Sequence, residues 1–295
     1  MINTDAAMST LSLPSPAKIN LFLHITGQRS DGYHNLQTLF QLLDFGDKLV
    51  FRNNRSGNIK INGNIDGVEE KNNLIFHAAT LLQKSTGCDL GCTIDLTKNL
   101  PMGAGLGGGS SNAATTLVGL NALWKCGLTA NQLSDLGKTL GADVPVFVHG
   151  ESAFAEGIGD ILTPLTLPQR WFLVITPNCH VSTREIFSNP QLTRNSSPIK
   201  IRALSGVEYR NDCQDVVSKL YPAVGSVLQW AGSFSAPLMT GTGASVFCSF
   251  DSKSEAQQVL SKMPKQWTGF VAKGVNRSPV HEQLHDFFTG ASPSG

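Results

Sequence analysis

The chain has 295 residues, 41% of them hydrophobic and 15% charged, with 23 Lys+Arg against 22 Asp+Glu for a formal net charge of +1. That length exceeds the ~100–200 residues of a typical domain, so two domains are expected, each able to bury a core. The composition excludes a disordered or collagen-like chain, and the near-neutral charge argues against nucleic acid or an anionic membrane surface as partner.

No apolar run approaches the ~20 residues of a membrane-spanning helix. The N-terminal stretch lacks the basic and apolar regions of a secretory signal, and the six cysteines (88, 92, 126, 179, 213 and 248) contain no CxxC pair. These features read as a cytoplasmic protein with reduced, packed thiols.

In chain order, residues 1–12 read as a loose lead-in. From Ala17 to Ile25 the residues alternate, with Ala17, Ile19, Leu21, Leu23 and Ile25 on one parity and Lys18, Asn20, Phe22 and His24 on the other. That period predicts a half-buried strand with Lys18 and Asn20 side by side. Further strands are expected at 36–44, 47–53, 58–62 and 90–97. Asn73 reads as the N-cap of a helix whose apolar stripe is Leu74, Ile75, Ala78, Leu81 and Leu82, stopped by Gly87. Helices are expected from about 110 to 124 and from about 130 to 140, and a buried strand over 171–176. Beyond that the pattern alternates: helix 215–231, strand 243–250, helix 252–263 and strand 268–273. Residues 290–295 read as a frayed tail. A boundary near 165 divides a strand-rich first half from an alternating second half, which is an α+β arrangement.

The strongest local signal is Pro101-Met102-Gly103-Ala104-Gly105-Leu106-Gly107-Gly108-Gly109-Ser110-Ser111, followed by a helical run. Five of the seven residues from Gly103 to Gly109 are glycine, a costly excess unless the backbone itself is used. A glycine loop feeding a helix N-terminus presents free N–H groups to an anion. A Walker A loop requires Gly-Lys-Ser/Thr at its end, and no lysine lies between Lys98 and Lys125. The literal GxGxxG at 103–108 lacks both a directly preceding core strand and an acid about 20 residues on, so a dinucleotide fold is disfavoured.

This loop, with Pro14-Ser-Pro-Ala-Lys18-Ile-Asn20-Leu and Leu238-Met-Thr-Gly-Thr-Gly-Ala-Ser-Val-Phe247, resembles the three motifs of the GHMP kinase superfamily. Asp31-Gly-Tyr33-His34, the extended glycine loop and Gly141-Ala-Asp143-Val-Pro narrow the resemblance to the branch acting on a cytidine-diphosphate-linked methylerythritol. It spans about residues 13 to 287. The resemblance implies a ribosomal-protein-S5-domain-2-like N-terminal domain over 9–165 and a ferredoxin-like C-terminal domain over 166–290. It also implies transfer of a phosphoryl group from ATP, with Mg²⁺, to the acceptor's 2-hydroxyl in the non-mevalonate route to isoprenoid precursors.

Residue roles follow from the same resemblance. Asp143 matches the base, although its local sequence is also a plain helix N-cap. Lys18 matches the cation beside that base, against the alternative of an edge-strand lysine. Residues 101–111 match the ATP phosphate loop. Two extra glycines ahead of Ser110 leave both Ser110 and Ser111 open as the serine that meets phosphate or metal, and the metal ligands are unassigned. Asn20 is expected at the substrate, and Tyr33, His34 and Phe187 around its cytosine. The rival readings are a homoserine- or mevalonate-type relative and a GHMP-fold protein that binds without catalysis. Monomer and homodimer are both open. His281-Glu-Gln-Leu-His285 spells HExxH, but only ten residues follow it, so it reads as a solvated helix face rather than a zinc site.

Overall fold

Two long antiparallel strands organise the molecule: β1 (Thr10–Gln28) and β2 (His34–Asn54) pair along nearly their whole length, joined by a turn at 29–33. The computed structural model describes residues 10–63, 69–206 and 209–289. The expected tail from 290, the lead-in before residue 10 and the outermost residues of both expected domains lie outside these. Residues 10–12, expected in the lead-in, already belong to β1.

The alternation in β1 is real, yet the strand is buried on both faces rather than one. Lys18, Asn20 and His24 are each 3% exposed, as deep as their apolar neighbours. Its free edge is covered as well: Lys18 N–H donates to the Leu106 carbonyl and Leu23 N–H to the Arg210 carbonyl. Register shifts at Pro16/Lys18, Asn20/Leu23 and Ile25/Gly27 break the simple two-residue period.

β2 is one strand where the sequence analysis expects two, at 36–44 and 47–53. Gly46 faces Pro16 across the ladder, and a Cβ there would lie 2.0 Å from the Ser15 carbonyl oxygen. Glycine is present because two backbones pass closely, not because the chain reverses.

The first half adds β3 (Ile59–Asn62), α1 (Leu74–Thr86), β4 (Gly91–Thr97), α2 (Gly108–Leu123), α3 (Ala130–Lys138), α4 (Val144–His149), β5 (Ala153–Glu156) and β6 (Ile161–Pro164). α1 forms as its caps dictate: the Asn73 side chain accepts from Ile75 N–H, and Gly87 closes it in the left-handed conformation. α2 is buried along most of its length, its polar Ser111, Asn112, Thr115 and Thr116 included. It packs on α1, β1 and α4 in a core that includes Leu13, Phe51, Ile75, Leu117 and Val144.

The second half runs β7 (Trp171–Thr176), α5 (Thr183–Ser188), α6 (Gln214–Leu220), α7 (Pro222–Ala231), β8 (Leu238–Met239), β9 (Val246–Phe250), α8 (Lys253–Leu260), β10 (Thr268–Val275) and α9 (Pro279–Thr289). The single helix expected over 215–231 is two, parted at Tyr221, because Pro222 starts a new helix at its first turn.

Among the described residues one ten-stranded sheet joins both halves in the order β3-β4-β2-β10-β7-β9-β8, with β1 and β5 also on β2 and β6 on β5. The link is β10 against β2, through Gly274–Leu43 and Val275–Leu42. A small core of Ala17, Ile19, Leu43, Leu100, Ala104, Leu106, Phe172 and Phe247 lies at this junction. The glycine loop is therefore anchored by its own apolar residues.

Candidate active site

The glycine loop alternates Gly103-Ala104-Gly105-Leu106-Gly107. Ala104 and Leu106 are 3% and 1% exposed and sit in the junction core, which leaves the glycines to line the cleft. The loop is pinned on both sides. The Leu106 carbonyl accepts from Lys18 N–H at 3.0 Å and the Ala104 carbonyl from Ser245 N–H at 3.1 Å. Gly105 has φ +77°, and a Cβ on it would stand 2.3 Å from the Thr240 carbonyl oxygen. Only glycine lets the loop cross the 240–243 turn there. α2 then begins at Gly108, and its first N–H groups have no intrahelical acceptor.

Lys18 and Asp143, far apart in sequence, meet at this point. Lys18 Nζ lies 3.3 Å from Asp143 Oδ2, 2.7 Å from Asn20 Oδ1 and 3.1 Å from the Gly105 carbonyl oxygen. An ammonium has three N–H donors, so this set uses all of them. Its side chain is 4% exposed, and it stands over the Phe40 ring at 5.4 Å. Asp143 sits at the N-cap position of α4 but makes no capping hydrogen bond. Its carboxylate turns to the lysine, and a side chain 34% exposed keeps it open to the cleft.

Asn20 supports the lysine from below. Its amide donates to Thr38 Oγ1 at 2.8 Å, and its backbone N–H donates to Thr240 Oγ1 at 2.9 Å. The Thr240 hydroxyl reaches Asn20 Oδ1 at 3.3 Å and the Gly105 carbonyl at 3.2 Å. The Asn20 side chain, expected at the substrate, lines the central cavity and also holds Lys18 and Thr38. Thr38 and Thr240 escaped the sequence reading. The Thr-Gly-Thr-Gly run at 240–243 was the available signal, since a threonine between glycines beside a strand has its hydroxyl free for a neighbour.

The two serines separate cleanly. Ser111 is fully buried, and its hydroxyl accepts from Ser15 Oγ at 2.9 Å. Its N–H is used by the Gly107 carbonyl. Ser110 lines the cleft instead. Below the loop, the fully buried Asp47 carboxylate accepts from Lys98 Nζ at 2.6 Å, from the N–H groups of Asn99 and Leu100 at 2.8 Å each, and from Asn112 Nδ2 at 3.0 Å. It ties the entry of the loop to the first turn of α2.

Three cavities adjoin. The central one, about 480 Å³, is lined by Lys18, Asn20, Asp143, Gly103, Gly105, Gly107 and Ser110. On one side a cavity of about 340 Å³ is lined by residues 101–110 with Asn73, Lys98 and Asn112. On the other, one of about 590 Å³ is lined by Tyr33, His34, Arg184 and Phe187 among others. The central cavity shares Gly103, Gly105, Gly107 and Ser110 with the first, and Leu36, Ala142, Ile158, Thr183 and Phe187 with the second. Every candidate residue except Ser111 lines this row.

At the far end the aromatic residues differ in setting. Tyr33 is 62% exposed at the β1–β2 turn, its N–H donating to Asp31 Oδ1 at 3.0 Å. His34 is 7% exposed and stacks on Phe187, with ring centroids 5.0 Å apart and planes at 29°. Burial, reinforced by the Arg194 guanidinium, holds the His34 imidazole below its ordinary pKa. Arg194 lies in a loop without periodicity or glycine punctuation, so sequence pattern offered no route to it.

The HExxH reading needs amendment. His285 is exposed, but His281 Nε2 lies 3.1 Å from the Val148 carbonyl oxygen, and Val280 and Leu284 bury α9 against the first core. Among the described residues no group of three His, Cys, Asp or Glu is placed to hold a metal ion. The cysteines are free thiols, with Cys92, Cys213 and Cys248 buried, and burial pushes each of these three up to about 12. No described helix is long and apolar enough to cross a membrane.

Comparison with known proteins points the same way. Residues 73–151 match the family model "GHMP kinases N terminal domain", and residues 191–269 match "GHMP kinases C terminal". The 4-diphosphocytidyl-2-C-methyl-D-erythritol kinase of Pseudomonas savastanoi pv. phaseolicola is 52% identical over 280 residues, 95% of this chain and 97% of that protein. The one from Mannheimia succiniciproducens is 50% identical over 275 residues, covering 93% of this chain and 91% of its own length. A crystal structure of 4-(cytidine 5′-diphospho)-2C-methyl-D-erythritol kinase superposes with a TM-score of 0.80 at 31% identity, covering 90% of this chain and all of that one. With identity at this level across almost its full length, the chain belongs to the GHMP kinases and, within them, to the 4-diphosphocytidyl-2-C-methyl-D-erythritol kinases.

Proposed function

We propose that this chain transfers the γ-phosphoryl group of ATP to the 2-hydroxyl of 4-(cytidine 5′-diphospho)-2-C-methyl-D-erythritol, in the non-mevalonate route to isoprenoid precursors, with Asp143 as the base. The observation that carries the mechanism is the Lys18–Asp143 contact at 3.3 Å inside the cavity bounded by the glycine loop. ATP occupies the loop side, with its phosphates against the first N–H groups of α2. The acceptor lies across the central cavity, with its cytidine end between Tyr33 and Phe187 beside His34.

Asp143 takes the proton as the acceptor oxygen attacks, while Lys18 keeps the carboxylate in place and offsets the charge that develops. Lys18 does this without searching for its position, because Asn20 and Gly105 already fix its ammonium. Such a fixed donor is typically worth ~3–4 kcal/mol in the transition state, provided bulk water is excluded.

Mg²⁺ fits the residues present. Such an ion is held mostly by nucleotide phosphates and water with one or two protein oxygens, and the cleft offers the Ser110 hydroxyl. Bound there, it would neutralise charge on the phosphates. We assign Ser110 rather than Ser111 to that position, and divide the chain into domains at 165/166, between β6 and β7. The near-neutral charge and the lack of a spanning helix among the described residues accord with a cytoplasmic enzyme of small molecules.

An ATP-consumption assay with the cytidylyl acceptor beside homoserine and mevalonate tests this reading. Turnover is expected with the cytidylyl acceptor alone. Preference for either of the others, or competition by CMP no better than by AMP, would overturn it.

A further inference from the structure

The Arg194 side chain is spent entirely on the walls of the His34 cavity. Its Nε donates to His34 Nε2 at 3.1 Å. Nη2 donates to the carbonyls of Phe187 and Asn189 at 2.9 and 2.8 Å, and Nη1 to the Leu192 carbonyl at 3.1 Å. One planar fork thus grips the His34 imidazole and the backbone of Phe187, whose ring centroid lies 5.0 Å from that of His34.

The direction of the Nε contact has a chemical consequence. A guanidinium N–H can only donate, so His34 Nε2 must present its lone pair. A protonated imidazole, with donors on both nitrogens, would face the guanidinium hydrogen with another hydrogen. The neutral ring therefore carries its proton on Nδ1. Among the described residues Nδ1 has no protein partner, and it is not among the fully buried polar atoms. It is a donor of fixed position in a wall of the cavity.

We propose that Arg194 is the positioning residue for base recognition: it locks His34 as the Nδ1–H tautomer, which donates to the unprotonated N3 of cytosine, and it fixes the backbone of the stacking residue Phe187. Uracil carries a hydrogen at N3, so the same donor opposes it. Selection of cytidine over uridine then rests on a side chain that does not touch the nucleotide, since a misplaced donor weakens the wrong base as well as favouring the right one. This inference rests on the reading of the cavity as the cytidine pocket.

Two measurements test it. Imidazole ¹⁵N NMR of the unliganded wild-type protein is expected to show His34 with a bare Nε2 and a protonated Nδ1. This needs no variant to fold and no ligand to bind. Calorimetric titration with CDP, UDP and ATP then compares wild type with Arg194→Met. The variant should bind CDP on the order of ten-fold more weakly or worse, the scale of one hydrogen bond left unmade. Its CDP-over-UDP preference should fall towards one, with ATP binding unchanged. An Nε2–H tautomer in the wild type, or a variant that keeps the CDP preference, would overturn the proposal. A wild-type protein with the expected tautomer that fails to bind CDP would instead sink the cytidine reading, and the inference with it.

Discussion

The two ends of the cleft are built on opposite principles. At the Lys18 end Lys18, Asn20 and Asp47 are answered from within: three acceptors for one ammonium, two threonine hydroxyls around Asn20, and four donors on Asp47. At the Tyr33 end one ring stands 62% exposed and one His34 nitrogen has no protein partner among the described residues. The contrast fits what each end does in the proposed function. A charge that develops during reaction is best met by dipoles already in place, since reorienting them would cost barrier height. A base that must enter and leave needs faces that only the ligand completes.

The sharpest break of this contrast is Asp143→Ala, which should lower turnover ~10²–10⁴-fold, as for loss of a general base, while the chain still melts in one cooperative transition at a lower temperature, because the buried Lys18 ammonium loses its partner. Steady-state rates beside a thermal scan check it. Unaltered turnover would remove the base assignment.

Asp47→Ala probes the pre-satisfied end through stability instead. It strands the partly buried Lys98 ammonium and the Asn112 amide, and should cost on the order of 3 kcal/mol in urea unfolding. A loss below ~1 kcal/mol would show that water replaces the carboxylate readily.

Phe187→Ala probes the open end. It should weaken CDP by ~1–3 kcal/mol, the worth of one aromatic stack, and leave ATP affinity alone. Equal loss for both nucleotides would argue against stacking.

The smallest effect concerns pH. Burial holds His24, His34 and His281 below their ordinary pKa, and neither ring nitrogen of His24 has a partner among the described residues. The unfolded chain takes up protons near pH ~6.5, whereas the folded chain resists until lower pH. Stability is therefore intact above that value and drains away as pH falls below it toward the folded values. Melting temperatures at pH 7.5 and 5.5 should show the drop, and His24→Leu should shrink it. A slope unchanged by the variant would exclude His24 as a contributor.

Much of the fold was legible in the sequence because local signals decided it. Asn73 and Gly87 bracket α1 by capping chemistry, and Trp171–Thr176 is a strand by continuous apolar character. The misreadings share a cause, a local signal overruled by a distant neighbour. The break expected between strands at 44 and 47 is closed by β1 laid across Gly46, and Asp143, a plain N-cap by its local sequence, turns its carboxylate to Lys18. Within the site, residue types in motifs were readable, whereas their partners were not. Thr38 and Arg194 act through contacts whose sequence separation follows no period. The choice between Ser110 and Ser111 needed burial, which two adjacent identical residues cannot reveal.

The pairing of β10 with β2 carries a consequence for how the molecule can work. Because this ladder and the apolar junction beneath the glycine loop stitch front and back of the chain together, a clamshell hinge would have to tear them. With ATP and the acceptor placed as proposed, exclusion of water falls to these two ligands, one at each end of the trench. Proteolytic nicking at 165–170 should accordingly leave two fragments that elute as one particle.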